Sequence, residues 1–207
     1  MTQDYKKTWN DRYGGGEYIF GKEPNQYFQS KLSLLTPGTI YLPGDGEGRN
    51  AVYAAKKNWE VTSADFSTVA LQRAEEFAKI ENVKIDFQFM DLINEDVPKN
   101  KFDVLAVSFL HFNGSNKGVV HKKLRDSVKL GGYLILECFS EKQIALNSGG
   151  PRKKDSLYTV NELKDYYSGF EFLEAEDILT QLNEGEGHQG DAYVVRLFAR
   201  KIGNRNE

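Results

Sequence analysis

The chain carries one cysteine, Cys138, in 207 residues, so no internal disulfide can form and a reducing compartment is expected. Histidines are scarce as well. There are three, none in a ligand-spaced pair, which leaves a zinc site without its usual donors and no metal expected. No apolar run approaches the ~20 residues that cross a bilayer. The amino-terminal MTQDYKKTWNDRY lacks the apolar centre of a secretory signal. A cytoplasmic location with no membrane partner is therefore expected. A dominant charge is missing too: the formal net charge is −3, which gives no global field for a nucleic-acid partner. Finally, no repeat, low-complexity tract or Pro/Ser linker divides the sequence, so residues 1–207 read as one domain.

What is present is a globular composition, 40% hydrophobic and 28% charged. Short β-rich runs alternate with amphipathic stretches, the pattern of βαβ units around a mostly parallel sheet. Strands are expected at Thr39–Pro43, Glu60–Ala64, Lys84–Phe89, Phe102–Phe109 and Tyr133–Phe139. The third and fourth of these look continuous enough to be buried on both faces. Helices are expected over Gly48–Lys57, from a Ser67 or Thr68 cap to about Ile80, and over Val119–Val128. Leu130–Gly132 reads as a turn. Thr159 opens a further helix, with capping-box spacing to Glu162. Two late strands, Phe170–Leu173 and Ala192–Ala199, flank the loop-like NEGEGHQG and have no crossover helix between them. They are expected to pair antiparallel at the edge of the sheet.

The segment YLPGDGEGRNAVYAA sets Gly44, Gly46 and Gly48 where the first strand meets its helix. In an open α/β sheet that junction lies at the carboxyl edge, where ligands bind, and glycine lets backbone approach them. A dinucleotide fingerprint needs Gly or Ala at position 49, which is Arg49. Glu47 inside the loop suits a cation better than a diphosphate. A nicotinamide-dependent oxidoreductase stays as an alternative on the same strand–turn–helix. Asp65 ends the second strand, where a carboxylate accepts hydrogen bonds from ribose hydroxyls or caps the following helix. Asp91, after the third strand, reads as an adenine-edge residue or a solvated turn.

This order of G-x-G-x-G loop, Asp65, Asp91, LGG turn and YLILECF resembles class I S-adenosylmethionine-dependent methyltransferases. The flanks WNDRYGGGEYIFGKEPNQYF and NEGEGHQGDAYVVRLFARK resemble the small-molecule members related to tellurite-resistance and thiopurine (thiol) enzymes. The resemblance implies a Rossmann-like, doubly wound α/β sheet of about seven strands with a carboxy-terminal antiparallel hairpin. It implies S-adenosylmethionine as cofactor, S-adenosylhomocysteine as product and a small-molecule methyl acceptor, in a monomer or weak homodimer. By the same resemblance Gly44, Gly46 and Gly48 meet the methionyl portion, Asp65 with Phe66 the ribose, and Asp91 with Leu92 the adenine. Ser108, closing the fourth strand, joins the cofactor contacts. Trp9, Tyr13 and Phe20, in residues 1–35, would close as a lid. The chain departs from the family at Leu42, where an acid is usual, and at Asp45, where a small residue or Cys is usual. The methionyl amino group then falls to Asp45 or Glu47. A non-catalytic S-adenosylmethionine-binding domain is a third reading, encouraged by Leu42.

Among groups able to act on an acceptor, His111 follows the fourth strand, where it would serve as base or orienting donor, or pack between Phe109 and Phe112. His188, in the EGEGHQG turn, reads as a pocket residue or a solvent-facing turn residue. His121 reads as part of a surface helix, and Cys138 as inert packing in a strand. Arg152, with Lys153 and Lys154, would attract an anionic acceptor or form a solvated charge run.

Overall fold

The computed structural model describes residues 3–203, with side chains from Lys7 onward. Its strands are β1 (Thr39–Pro43), β2 (Glu60–Asp65), β3 (Asp86–Phe89), β4 (Phe102–Ser108), β5 (Val128–Phe139), β6 (Phe170–Glu184) and β7 (His188–Lys201). They form one sheet in the order β3-β2-β1-β4-β5-β7-β6. Strands β1 to β5 run parallel, and β7 is antiparallel to both β5 and β6. The helices are α1 (Gln3–Tyr13), α2 (Gln26–Leu32), α3 (Arg49–Lys56), α4 (Thr68–Ile80), α5 (Asn116–Ser127) and α6 (Val160–Tyr166). Among the described residues no helix is long and apolar enough to cross a membrane.

Side chains alternate across a strand, and β1 uses both of its faces. Tyr41 packs with Leu105, Leu134 and Leu136 against Val120 and Leu124 of α5 and Leu163 of α6. Ile40 and Leu42 pack with Val104, Ala106 and Ile135 against Phe28 and Leu32 of α2 and Ala51 and Ala54 of α3. Each such burial stabilises by roughly 1.5–3 kcal/mol. The expected caps are present: Ser67 accepts the Ala70 N–H at 3.1 Å and Thr159 the Glu162 N–H at 3.2 Å.

Three local expectations fail for tertiary reasons. Strand β3 is only partly covered, with Phe89 49% exposed, because it is an edge strand. Leu130–Gly132 is part of β5, where pairing with β4 slips between Phe102 and Val104. The late hairpin is much longer than its apolar runs, since β6 reaches Glu184 and β7 starts at His188. Most of NEGEGHQG is therefore strand, and only residues 185–187 turn.

Strand β1 lies between β2 and β4, and the chain winds outward from β1 to β3 on one side before crossing over to β4 on the other. This reversal opens a crevice outside the carboxyl ends of β1 and β4. The β6–β7 turn and the segment after α1 meet over that crevice. Gly187 donates its N–H to the Ile19 carbonyl at 2.9 Å. Gly185 has φ +60°, and a Cβ there would stand 2.3 Å from the Ile19 oxygen, so only glycine permits the approach.

Candidate active site

The crevice holds a cavity of about 430 Å³, within the range of small-molecule sites. One end is the glycine loop. Gly44 lines it at φ +66°, and a Cβ there would lie 2.6 Å from the Leu110 side chain. Asp65 is buried and faces the same space. Its two oxygens accept the Gly46 N–H at 3.0 Å and the Ser67 N–H at 2.8 Å, which ties the end of β2 to the loop. Each carboxylate oxygen keeps capacity for another donor. Burial raises the Asp65 carboxyl to about 6 against those backbone hydrogen bonds.

The two loop acids part company. Asp45 lines the cavity, where it accepts from Asn50 Nδ2 at 3.0 Å and from the Ala51 N–H at 3.1 Å. Burial raises it to about 7, with those two bonds and Arg49 opposing. Glu47 turns away from the cavity. It accepts the Ile19 N–H at 2.9 Å and pairs with Arg73 at 2.7 Å. Arg73 also holds the carbonyls of Tyr13, Gly15 and Gly16, so this pair fastens the glycine-rich segment to α4. Gly48 caps α3 and lies against Ala74 of α4 rather than the cavity.

Phe66, Leu92 and Ser108 line the cavity, as do Trp9, Tyr13 and Phe20. Trp9 and Tyr13 stack at 5.4 Å, and the Arg12 guanidinium sits over Trp9 and Phe20 at 5.0 and 5.4 Å. Asp91 does not line the space. Its carboxylate accepts from the Ile93 N–H at 3.0 Å and Asn94 Nδ2 at 2.8 Å, closing its own turn. Its neighbours Met90 and Leu92 form the wall instead. Arg152 lies outside the cavity as well, exposed, with Nη1 on the Leu146 carbonyl at 2.7 Å. The preceding Gly149, Gly150 and Pro151 do line it.

The histidines are rearranged relative to expectation. His111 reaches the cavity wall with both ring nitrogens occupied, Nδ1 on the Ser156 carbonyl at 2.8 Å and Nε2 on the Phe139 N–H at 3.3 Å. The carbonyl fixes hydrogen on Nδ1 and the N–H takes the Nε2 lone pair. Burial lowers the ring to about 4, so it is neutral and has no lone pair to offer. His121 is fully buried between the hydroxyls of Tyr158 and Tyr167, at 2.9 and 3.0 Å, not on a surface. His188 is buried in the cavity wall rather than in a solvent-facing turn. Burial pushes the Cys138 thiol up, which keeps it protonated inside β5.

Sequence reasoning passed over the buried charge cluster behind this wall. Arg49 Nη2 pairs with Glu184 at 2.6 Å and Arg196 Nε with Glu137 at 2.6 Å. Asn25 Nδ2 bridges the two glutamates at 2.5 and 2.8 Å, and its backbone N–H reaches Asn50 Oδ1 at 2.9 Å. Asn50 in turn holds Asp45. One polar network thus runs from the glycine loop to the late hairpin. A Gly-spaced EGEG inside a polar run was the available signal of a tight hairpin.

Sheet order, antiparallel β7 and a glycine loop facing a β2 carboxylate define the fold of class I S-adenosylmethionine-dependent methyltransferases. The structure of such an enzyme from Aquifex aeolicus superimposes with a TM-score of 0.65 at 14% identity, over 93% of this chain and 98% of that one. TehB from Haemophilus influenzae gives 0.71 at 20% identity, over 95% of this chain and 66% of that one. The chain belongs to the TehB family, whose model, described as tellurite resistance protein TehB, matches residues 25–200. In sequence it is 28% identical over 172 residues to a probable S-adenosyl-L-methionine-dependent methyltransferase TehB of Haemophilus influenzae. That match covers 81% of this chain, which spans 59% of the relative's length.

Proposed function

We propose that this chain binds S-adenosylmethionine in the cavity and transfers its methyl group to a small-molecule acceptor, a thiol or a metalloid oxyanion such as tellurite. The observation that carries the reading is the Asp65 carboxylate, buried, facing the cavity and fixed by two backbone N–H groups. The residues fit this cofactor. Asp65 is placed for ribose hydroxyls, Gly44 leaves room for the methionyl chain, and Phe66, Met90 and Leu92 offer apolar cover for adenine. Asp45, not Glu47, is the acid available to the methionyl amino group and stands in for the acid that Leu42 replaces. When bound, the cofactor supplies an electrophilic methyl on a sulfonium. The protein's part is to orient the acceptor in line and exclude water, with Trp9, Tyr13 and Phe20 closing over the site. The aromatic faces also favour a cation.

The direct test is equilibrium titration with S-adenosylhomocysteine, followed by a methyl-release assay over thiols, tellurite, selenite, amines and carboxylates. Saturable one-site binding with turnover of a thiol or metalloid acceptor is expected. Folded protein that fails to bind at millimolar ligand would end the reading. Binding without turnover of any acceptor would leave a cofactor-binding domain.

A further inference from the structure

We propose that His188 is the general base that deprotonates a thiol acceptor, with Glu184 as its positioning residue. The proposal rests on the methyltransferase reading above.

Glu184 and His188 are a cross-strand pair at the closed end of the β6–β7 hairpin. Nδ1 of His188 faces Glu184 Oε2 at 3.5 Å. That carboxylate is itself held by Arg49 at 2.6 Å and Asn25 at 2.8 Å. Burial works to raise Glu184, but His188 and Arg49 outweigh it and bring the carboxyl to about 2. A permanent carboxylate on Nδ1 fixes hydrogen there and leaves the lone pair on Nε2. Nε2 has no hydrogen-bond partner among the described residues, nor is it one of their sealed, unpartnered polar atoms. His188 is buried and lines the cavity, and Nε2, the nitrogen turned from Glu184, is the one proposed to meet the acceptor.

The surroundings select the acceptor. The rings of Phe109, Phe20 and Phe139 pack on His188 at 4.3, 4.5 and 5.1 Å. The carboxylates that line the cavity, Asp45 and Asp65, belong to the glycine-loop end, so among the described residues no carboxylate lines the aromatic end to pair with an ammonium. An oxyanion arrives ionised and uses no base. A thiol, with a pKa of about 8.5, still carries its proton at pH 7, and a neutral imidazole can accept that proton as the S–C bond forms. The charged or titratable groups facing His188 are Glu184, Arg49, Arg12 and His111. Burial lowers the His188 pKa, with Glu184 opposing and the two arginines assisting, so the ring is neutral and ready near pH 7. The proton passes from the acceptor sulfur to Nε2, and the freed pair forms the new S–C bond. The pair of the broken bond stays on the donor sulfur, and imidazolium returns its proton to water.

The test compares wild type and His188→Gln with 2-mercaptoethanol, largely protonated at pH 7, and thiophenol, largely ionised there. For 2-mercaptoethanol kcat/KM should fall roughly 10²- to 10⁴-fold, and for thiophenol less than about tenfold. S-adenosylhomocysteine should still bind both proteins saturably at one site, which also reports folding. With 2-mercaptoethanol the wild-type kcat/KM should level off by about pH 7, whereas that of the variant should keep rising with pH toward the thiol's own pKa. Equal losses for both thiols, no loss for either, or the same pH profile in wild type and variant would each overturn the proposal. So would a wild type that binds S-adenosylhomocysteine and turns over neither thiol. A wild type that fails to bind S-adenosylhomocysteine would instead sink the methyltransferase reading itself.

Discussion

The two ends of the cavity are built differently. At the glycine-loop end, loop and carboxylate come from neighbouring strands, β1 and β2, and are joined by backbone hydrogen bonds to Asp65. At the hairpin end, Phe20, Arg49, Phe109, Phe139 and His188 meet from five separate stretches of chain, held by buried charges and ring packing. The first end is a local consequence of strand–turn–helix geometry. The second exists only when the β6–β7 register is correct, because one residue of slip turns every side chain over.

If buried charge holds the second end, Glu184→Ala should be the most damaging change. It leaves Arg49 uncompensated and should cost about 3–5 kcal/mol of stability in urea unfolding. A cost under about 1 kcal/mol would mean that ring packing alone suffices there. At the first end, Asp65→Ala should weaken S-adenosylhomocysteine by about 1.5–3 kcal/mol with the circular dichroism spectrum intact. Unchanged affinity in calorimetry would reduce Asp65 to a cap for α4.

A smaller effect separates the two loop acids. A bound ammonium favours ionised Asp45, whose carboxyl sits near 7 in the free protein. Below that pH the ligand must displace a proton. Between pH 7 and about 6, where Asp65 begins to titrate, affinity should therefore fall with acidification by at most about tenfold per pH unit, and it should level off above pH 7. Asp45→Asn should flatten that slope, and a persisting slope would assign it to another group. Smallest of all, Arg152→Ala should shift both stability and methyl transfer by less than about 0.5 kcal/mol, being exposed and outside the cavity. A large loss of activity in a kinetic assay would return Arg152 to the acceptor end.

The same division separates what was legible in the sequence from what was not. Ser67, Thr159, the glycine loop and Asp65 act within a few residues or across one strand pair, and periodicity and capping chemistry expose them. The histidines depend on partners far along the chain. Ser156 and Phe139 close off His111, while Tyr158 and Tyr167 bury His121. His188 lay in a run whose polar, Gly-rich composition reads as loop. Pairing of β6 with β7 turned both ends of that run into strand and carried the ring indoors. Glu47 misleads for a related reason: its partners, Ile19 and Arg73, come from segments on either side of the loop.

The most direct measurement is a crystal structure of the protein with S-adenosylhomocysteine. Both ribose hydroxyls should lie within hydrogen-bonding distance of the Asp65 carboxylate, with the amino group beside Asp45 and the thioether sulfur pointing toward the Phe20–His188 wall. A ligand bound elsewhere, or a ribose that leaves Asp65 facing only Gly46 and Ser67, would contradict this placement.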